Sequence, residues 1–403
     1  MKSKIIWQWT ALFSISLFFI GCKKEIKQIE ANKLTQENGT SSPLGITCIA
    51  NSIHFLKTES LSQARGSIDE LDGPLGIGLA NKILVVGGDK NNKDISEHVD
   101  IYNTTTDSWT VKILSSRRNQ YALAAAGTKI GIAGGENLPN PTDRVDIYDV
   151  SSDVWTVSHL SSPRQGVAGV GYGDSLYFAG GELSYGGSMI VKTVDIYSTP
   201  TGAWSLIKLP HARMYAAAAA TNNKIVFAGG VTGKPGFQNV TNTADIYDVS
   251  TGTWSTGHLS LARERLTATA LGNLIIFAGG DDANDIFVNT IDIYNTTTGT
   301  WVGVQPPNAP YGRVQSAAQG TKMFFGRQGN SSGPAIVIAY DICSNTWTNL
   351  SLSDGRGEFA IGAAGGKVLF GGGSFGGSGS FPTFNPPYSK AVDIFYLSTL
   401  LAQ

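Results

Sequence analysis

Six tryptophans, Trp109, Trp155, Trp204, Trp254, Trp301 and Trp347, recur at intervals of 46, 49, 50, 47 and 46 residues, each within the same local pattern. Self-similarity on this scale marks a repeat architecture. One supersecondary unit cannot bury its own apolar surface and stacks on copies of itself.

The unit can be written out. An apolar run ends in a glycine pair at Gly87-Gly88, Gly134-Gly135, Gly180-Gly181, Gly229-Gly230 and Gly279-Gly280. A polar loop of variable length leads to Asp-Ile-Tyr at 100–102, 146–148, 195–197, 245–247 and 292–294. In all five units the tryptophan stands nine residues after that Asp, and an arginine stands nine residues after the tryptophan at Arg118, Arg164, Arg213, Arg263 and Arg356. Short apolar runs such as 224–228, bounded by Asn and Gly, read as buried strands, and Asp-Ile-Tyr reads as a second strand. The segments 248–252 and 295–299 are turn sequences that join Tyr to Trp as a hairpin. Ala- and Gly-rich stretches after the arginine supply an innermost strand, where small side chains suit crowding around an axis. Four antiparallel strands in about 47 residues make one blade of an all-β propeller.

Two further units are degraded. In one, Phe324-Phe325-Gly326-Arg327 replaces the glycine pair and Tyr340-Asp341 precedes Trp347; in the other, Gly371-Gly372-Gly373 is followed by Val392-Asp393-Ile394-Phe395. The count is seven blades. The chain stops at Gln403, where the last outer strand should begin. Residues 61–65 match 259–263, and Leu56 lies nine residues before Arg65, in the tryptophan position. Residues of about 54–61 are therefore expected to complete the seventh blade, closing the ring and removing an open edge.

Glycine pairs after an apolar strand, an aromatic-Asp turn and a downstream Trp at this period resemble kelch-repeat proteins, over residues of about 55 to 397. The Gly-His and Trp-Asp signatures of WD40 repeats do not recur, and the turns before Trp lack sialidase-type Asp boxes. The resemblance implies ligand binding on the propeller face formed by the loops after the glycine pairs and those entering the innermost strands. It also admits catalysis, because kelch propellers include a copper oxidase and a sialic-acid epimerase.

Lys2 and Lys4 precede an apolar stretch from Ile5 to Ile20, and Gly21-Cys22 follows. This reads as a secretory signal over 1–21 that ends in a lipobox, with Cys22 as the lipidated first residue of the mature chain. Residues 22–45 read as a flexible tether and 46–403 as the propeller. Lys23 is not the Asp associated with inner-membrane retention, which points to the outer membrane of a Gram-negative envelope. Cys48 and Cys343 can be free thiols, and an oxidising compartment would also allow one disulfide. Cys343 falls in a hairpin turn and Cys48 before the closing strand, which weighs against their pairing. The net charge is −1 and no basic stripe with interleaved aromatics appears, so nucleic acid is not an expected partner.

Two sets of residues stand out for function. The first occupies the position two places after the repeat arginine: Ser67, Gln120, Gly166, Tyr215, Arg265 and Glu358, with Arg313 in register with Arg265. In some kelch domains this position lines the central pocket, which makes Tyr215, Arg265, Arg313 and Glu358 candidate ligand residues. The second set is the aromatic loop of 374–390, with Phe375, Phe381, Phe384 and Tyr388 among Gly and Pro. It is open to sugar stacking or a protein contact, or to packing over the channel mouth. The repeat arginines recur in nearly every unit, which favours a structural role in bracing loops. The five histidines are scattered, and Asp281, Asp282, Asn284 and Asp285 lack the spacing of a known Ca²⁺ loop. No metal or cofactor is expected. The reading is a monomeric, lipid-anchored module that binds a protein or glycan at the channel mouth. A sugar-modifying enzyme using Arg265, Arg313 and Glu358 is the alternative, and a purely structural envelope role is a third.

Overall fold

The structure, a computed structural model, describes residues 51–67, 73–91, 94–137, 140–184, 189–234, 237–305, 312–326, 335–375 and 388–399. The fourth blade shows how the repeat folds. Its strands run outward from the axis as Ala217–Thr221, Lys224–Ala228, Thr243–Asp248 and Thr253–His258. Asn222 and Asn223, both with positive φ, form the two-residue hairpin between the first two strands. Lys224–Ala228 is buried at every position after its first, because neighbouring blades cover both its faces. In the turn before each tryptophan, the residue two places upstream is left-handed: Asp107, Asp153, Gly202, Gly252, Gly299 and Asn345. Only Gly, Asp and Asn occur there, the residues that tolerate that conformation.

Seven such sheets form a ring of seven blades, with four antiparallel strands in each. Seven apolar clusters lie between successive blades. One example packs Val226 and Ile246 of the fourth blade against Ile275, Phe277 and Tyr294 of the fifth. Another joins Leu369 and Ile394 of the seventh to Ile83, Val85 and Tyr102 of the first, so the core continues around the whole ring.

The repeat arginines hold these joints. Arg65, Arg118, Arg164, Arg213, Arg263 and Arg356 are fully buried, and each donates to the Asp of its own blade's third strand: Asp100, Asp146, Asp195, Asp245, Asp292 and Asp393. Arg213 also donates from Nη1 to the Gly229 carbonyl at 2.8 Å, and its own carbonyl accepts from Gly181 N–H of the preceding blade at 2.8 Å. A Cβ on Gly180 would lie 2.2 Å from that same carbonyl, so the glycine pair is what lets the preceding blade approach. Burial lowers the pKa of Arg65, Arg164, Arg213 and Arg263, against the raising effect of the paired Asp. In the sixth blade the whole device is absent. Ile338 stands at the Asp position, and by sequence register Tyr311 falls at the arginine position and Arg327-Gln328 at the glycine pair.

The strand Asn51–Ser60 pairs antiparallel with Ala391–Thr399 and closes the seventh blade. Its register corrects one detail of the sequence reading. Phe55, not Leu56, faces Phe395, the position that Trp takes opposite Tyr in the other blades, and a bulge between Phe55 and Lys57 shifts the strand by one. Counting back from Arg65 could not reveal that extra residue. Cys343 is disulfide-bonded. Cys22 and Cys48 lie outside the described residues.

Candidate functional site

Seven loops deliver the chain to the seven inner strands at one end of the ring. The residues two places after the repeat arginine all line one central cavity of about 330 Å³ there: Ser67, Gln120, Gly166, Tyr215, Arg265, Arg313 and Glu358. The walls below are small and apolar, with Ala122, Ala168, Ala217 and Ala268 among them. Arg313 holds its place because Gly326 N–H bonds the Gln315 carbonyl, which puts the sixth inner hairpin in step with the fifth.

The backbone at this position is repeated and strained. Gln120, Tyr215, Arg265 and Glu358 have φ of 52°, 54°, 53° and 55°, and Gly166 has 63°. That conformation costs an ordinary L-residue about 1–2 kcal/mol. It is fixed by bonds from blade to blade: Gly166 N–H to the Gln120 carbonyl (3.2 Å), Tyr215 N–H to Gly166 (2.9 Å) and Arg265 N–H to Tyr215 (3.0 Å). In the sixth blade the left-handed residue is Gly312 (φ 94°), beside Arg313.

The side chains form a second chain above it. Tyr215 reaches past the third blade and donates from its hydroxyl to Gln120 Oε1 at 2.7 Å. Gly166 allows this, because a Cβ there would lie 2.9 Å from the tyrosine ring. Gln120 Nε2 donates in turn to the buried Glu136 at 2.9 Å. Burial, with Glu182 nearby, pushes the Tyr215 phenol well above its ordinary pKa, so it stays a donor. Arg265 lies over the Tyr215 ring, 4.9 Å from its centroid. Its Nη1 donates to Glu264 and to Asp281, each at 3.1 Å. Arg313 grips the same Asp281 through Nε (2.9 Å) and Nη2 (3.1 Å). Asp281 is fully buried. Burial raises the pKa of Glu264, against the lowering effect of Arg265.

Four of the expected site residues, Tyr215, Arg265, Arg313 and Glu358, are thus brought together. The aromatic loop is not part of the cavity lining where it is described. Phe375 pairs with Arg356 beside its blade, and the Tyr388 ring packs against Gly66, where a Cβ would lie 2.5 Å from Cδ1. Phe381 and Phe384 lie outside the described residues. Asp281 bonds both arginines, so its single carboxylate offsets one of their two positive charges. The signal for it was present in the sequence: the residue after the glycine pair is acidic at Asp89, Glu136, Glu182 and Asp281, and all four are buried.

Gln315 was missed altogether. Its carboxamide donates to the Pro74 carbonyl (2.5 Å) and accepts from Gly76 N–H (3.0 Å) and Ile361 N–H (3.3 Å), tying the inner strands of blades six, seven and one. Among the described residues no group of three His, Cys, Asp or Glu side chains is disposed to hold a metal. Asp282 instead closes its own loop through the N–H groups of Asn284 and Ile286, which lower its pKa.

Two overlapping spans, residues 77–260 and 166–373, match the family model described as the KLHDC2/KLHL20/DRC7 Kelch-repeats domain. No curated protein matches the chain.

Proposed function

The chain belongs to the KLHDC2/KLHL20/DRC7 kelch-repeat family, and from that premise we propose that this protein-interaction scaffold seats a short segment of a partner protein in its central cavity. One observation carries the reading. Seven equivalent positions line one cavity, and five of them share a left-handed backbone, yet the seven hold Ser, Gln, Gly, Tyr, Arg, Arg and Glu. Where a position serves the frame, as at the repeat arginine, the residue recurs. Where four non-glycine residues sit in a strained conformation that Gly would adopt freely, the side chains themselves are what is kept.

The chemistry of the rim favours a peptide over a sugar. One face of Tyr215 is taken by Arg265, so that face cannot stack on a pyranose. Arg265 makes its bonds to Glu264 and Asp281 through Nη1, which leaves Nη2 as a donor toward a backbone carbonyl. The small apolar walls fit one or two side chains of a segment entering end-on.

The location is part of the proposal. With Cys22 as the lipid-bearing residue and 22–45 as a tether, the scaffold sits at the outer membrane. The disulfide at Cys343 supports an oxidising compartment.

Photocrosslinking in intact cells tests the reading. A benzophenone amino acid at position 358 should give a discrete protein adduct that disappears with Arg265→Gly. The same probe at position 250, in a turn on the opposite face, should give none. Equal adducts from both faces, or one indifferent to Arg265, would refute cavity binding.

A further inference from the structure

The chain as a whole is near charge balance, with 31 acidic and 30 basic residues, but the cavity mouth is not. Each buried repeat arginine is matched by the Asp of its own blade. At the mouth, Arg265 and Arg313 stand among three carboxylates of the fifth blade. Glu264 and Asp281 accept from Arg265, Asp281 also accepts from Arg313, and Asp285 lies 4.0 Å from Arg313. Two more carboxylates approach from the second and third blades. Glu136 accepts from Gln120 at 2.9 Å and Glu182 from Gln165 at 2.7 Å, and a neutral carboxamide leaves a carboxylate its charge. The Tyr215 phenol reports the balance. Burial and then Glu182 raise its pKa, Arg265 lowers it, and Glu136 and Glu264 raise it again.

Hydrogen-bond donors are short there as well. Asn119, Gln165 and Glu264 are more than nine-tenths buried, and each stands one residue before a position that lines the cavity. Asn119 Oδ1, Gln165 Oε1 and Glu264 Oε2 accept no hydrogen bond. An acidic ligand would bring more acceptors and more negative charge to a place already rich in both. A basic side chain brings the reverse, with three N–H donors on an ammonium and five on a guanidinium. Partial burial strengthens such pairing relative to bulk water. The walls below the rim, with Ala122, Ala168 and Ala217, suit a methylene stem while the charged head stays at the rim.

We propose that the partner segment is basic, and that one of its arginine or lysine side chains sets its head beside the fifth-blade carboxylates Glu264, Asp281 and Asp285. The proposal rests on peptide binding in the cavity and adds the charge class of the peptide. Arg265 and Arg313 then serve to hold Asp281 in place, and Arg265 Nη2 meets the peptide backbone rather than an acidic side chain.

Three pools of short peptides test this on the immobilised full chain. All positions are randomised among neutral residues, except that one pool carries two fixed arginines and another two fixed glutamates. Retention is read by mass spectrometry. At about 0.1 M salt the arginine pool should be retained about tenfold or more above the other two. That advantage should shrink at about 1 M, where the Debye length falls to about 3 Å. Asp285→Asn and Glu264→Gln should each cut it about threefold or more, while Asp248→Asn, in a turn on the opposite face, should leave it unchanged. Asp285 is well exposed, so its variant reports even where Glu264→Gln fails to fold. A preference for the glutamate pool would overturn the proposal, and so would an arginine preference that both variants leave intact. Equal retention of the neutral and arginine pools, abolished by Arg265→Gly, would keep cavity binding and remove the basic preference. Retention of no pool would also overturn the basic preference, while the adduct at position 358 still decides cavity binding.

Discussion

The guanidinium of Arg265 lies over the ring of Tyr215, 4.9 Å from its centroid, and neither group is placed by the contact alone. Tyr215 is fixed on its far side by Gln120, and Arg265 by Asp281, which also holds Arg313. Four of the seven cavity positions are thus linked in a network prepared before any ligand arrives. Preorganisation of this kind lowers the ordering cost of binding.

The strain at these positions makes a distinctive prediction. Gln120→Gly relieves a left-handed backbone worth about 1–2 kcal/mol and loses hydrogen bonds worth about 0.5–1.5 kcal/mol each. The two nearly cancel, so denaturant unfolding should show a change within about 1 kcal/mol. Gly166→Ala adds a Cβ against the Tyr215 ring and strains the backbone as well, and should destabilise by about 1–3 kcal/mol.

The Arg213–Asp245 pair tests the frame. Removing one partner alone, by Arg213→Tyr or Asp245→Ile, leaves an uncompensated buried charge and should cost about 3–5 kcal/mol. The double variant copies the residues of the sixth blade, Tyr311 and Ile338, and should cost clearly less than the sum. A double-mutant cycle by chemical denaturation decides it. Strict additivity would mean that the two residues do not act as a unit.

Acid stability has a sign that can be worked out. Lys224, then Ser250, bond the Asp248 carboxylate and pull its pKa down to about 2. The unfolded value is about 3.9, so its contribution is fully present above about pH 4 and is lost as pH falls through 2. Asp248→Asn should lower the melting temperature at pH 7, and the gap from the parent should shrink between pH 4 and 2. A gap of constant size over that range would contradict the assignment.

The closing blade can be improved. Phe55→Trp with Phe395→Tyr restores the aromatic pair found in the other blades, and should add about 0.5–1.5 kcal/mol. Leu56→Trp, which follows the count from Arg65, should not, because Leu56 is the bulge residue. Thermal unfolding of the two variants compares the registers directly.

Most of the frame was legible because each element recurs. The Asp and the Arg of the repeat were both visible as periodic residues. That Arg213 reaches Asp245, 32 residues on, was not, because spacing along a chain does not say which periodic positions meet. Phe55 was missed for the opposite reason: a single bulge breaks the count. At the cavity, register placed Tyr215, Arg265, Arg313 and Glu358 correctly on one opening, since position within a repeat translates into position on a ring. Their chemistry was not legible, because it depends on Asp281 and Glu136, which come from the loops after the glycine pairs and vary in length and composition. Gln315 was hidden because nothing in its local pattern marks a side chain that bridges three blades.

The most direct test of the account is the affinity of the crosslinked partner for the parent chain and for Gln120→Gly and Arg265→Gly, measured beside their unfolding free energies. The account predicts that affinity falls tenfold or more in each, about 1.4 kcal/mol or above, while stability changes little. Affinity that stays at the parent value in both variants would mean that the strained side chains around the cavity do not hold the ligand.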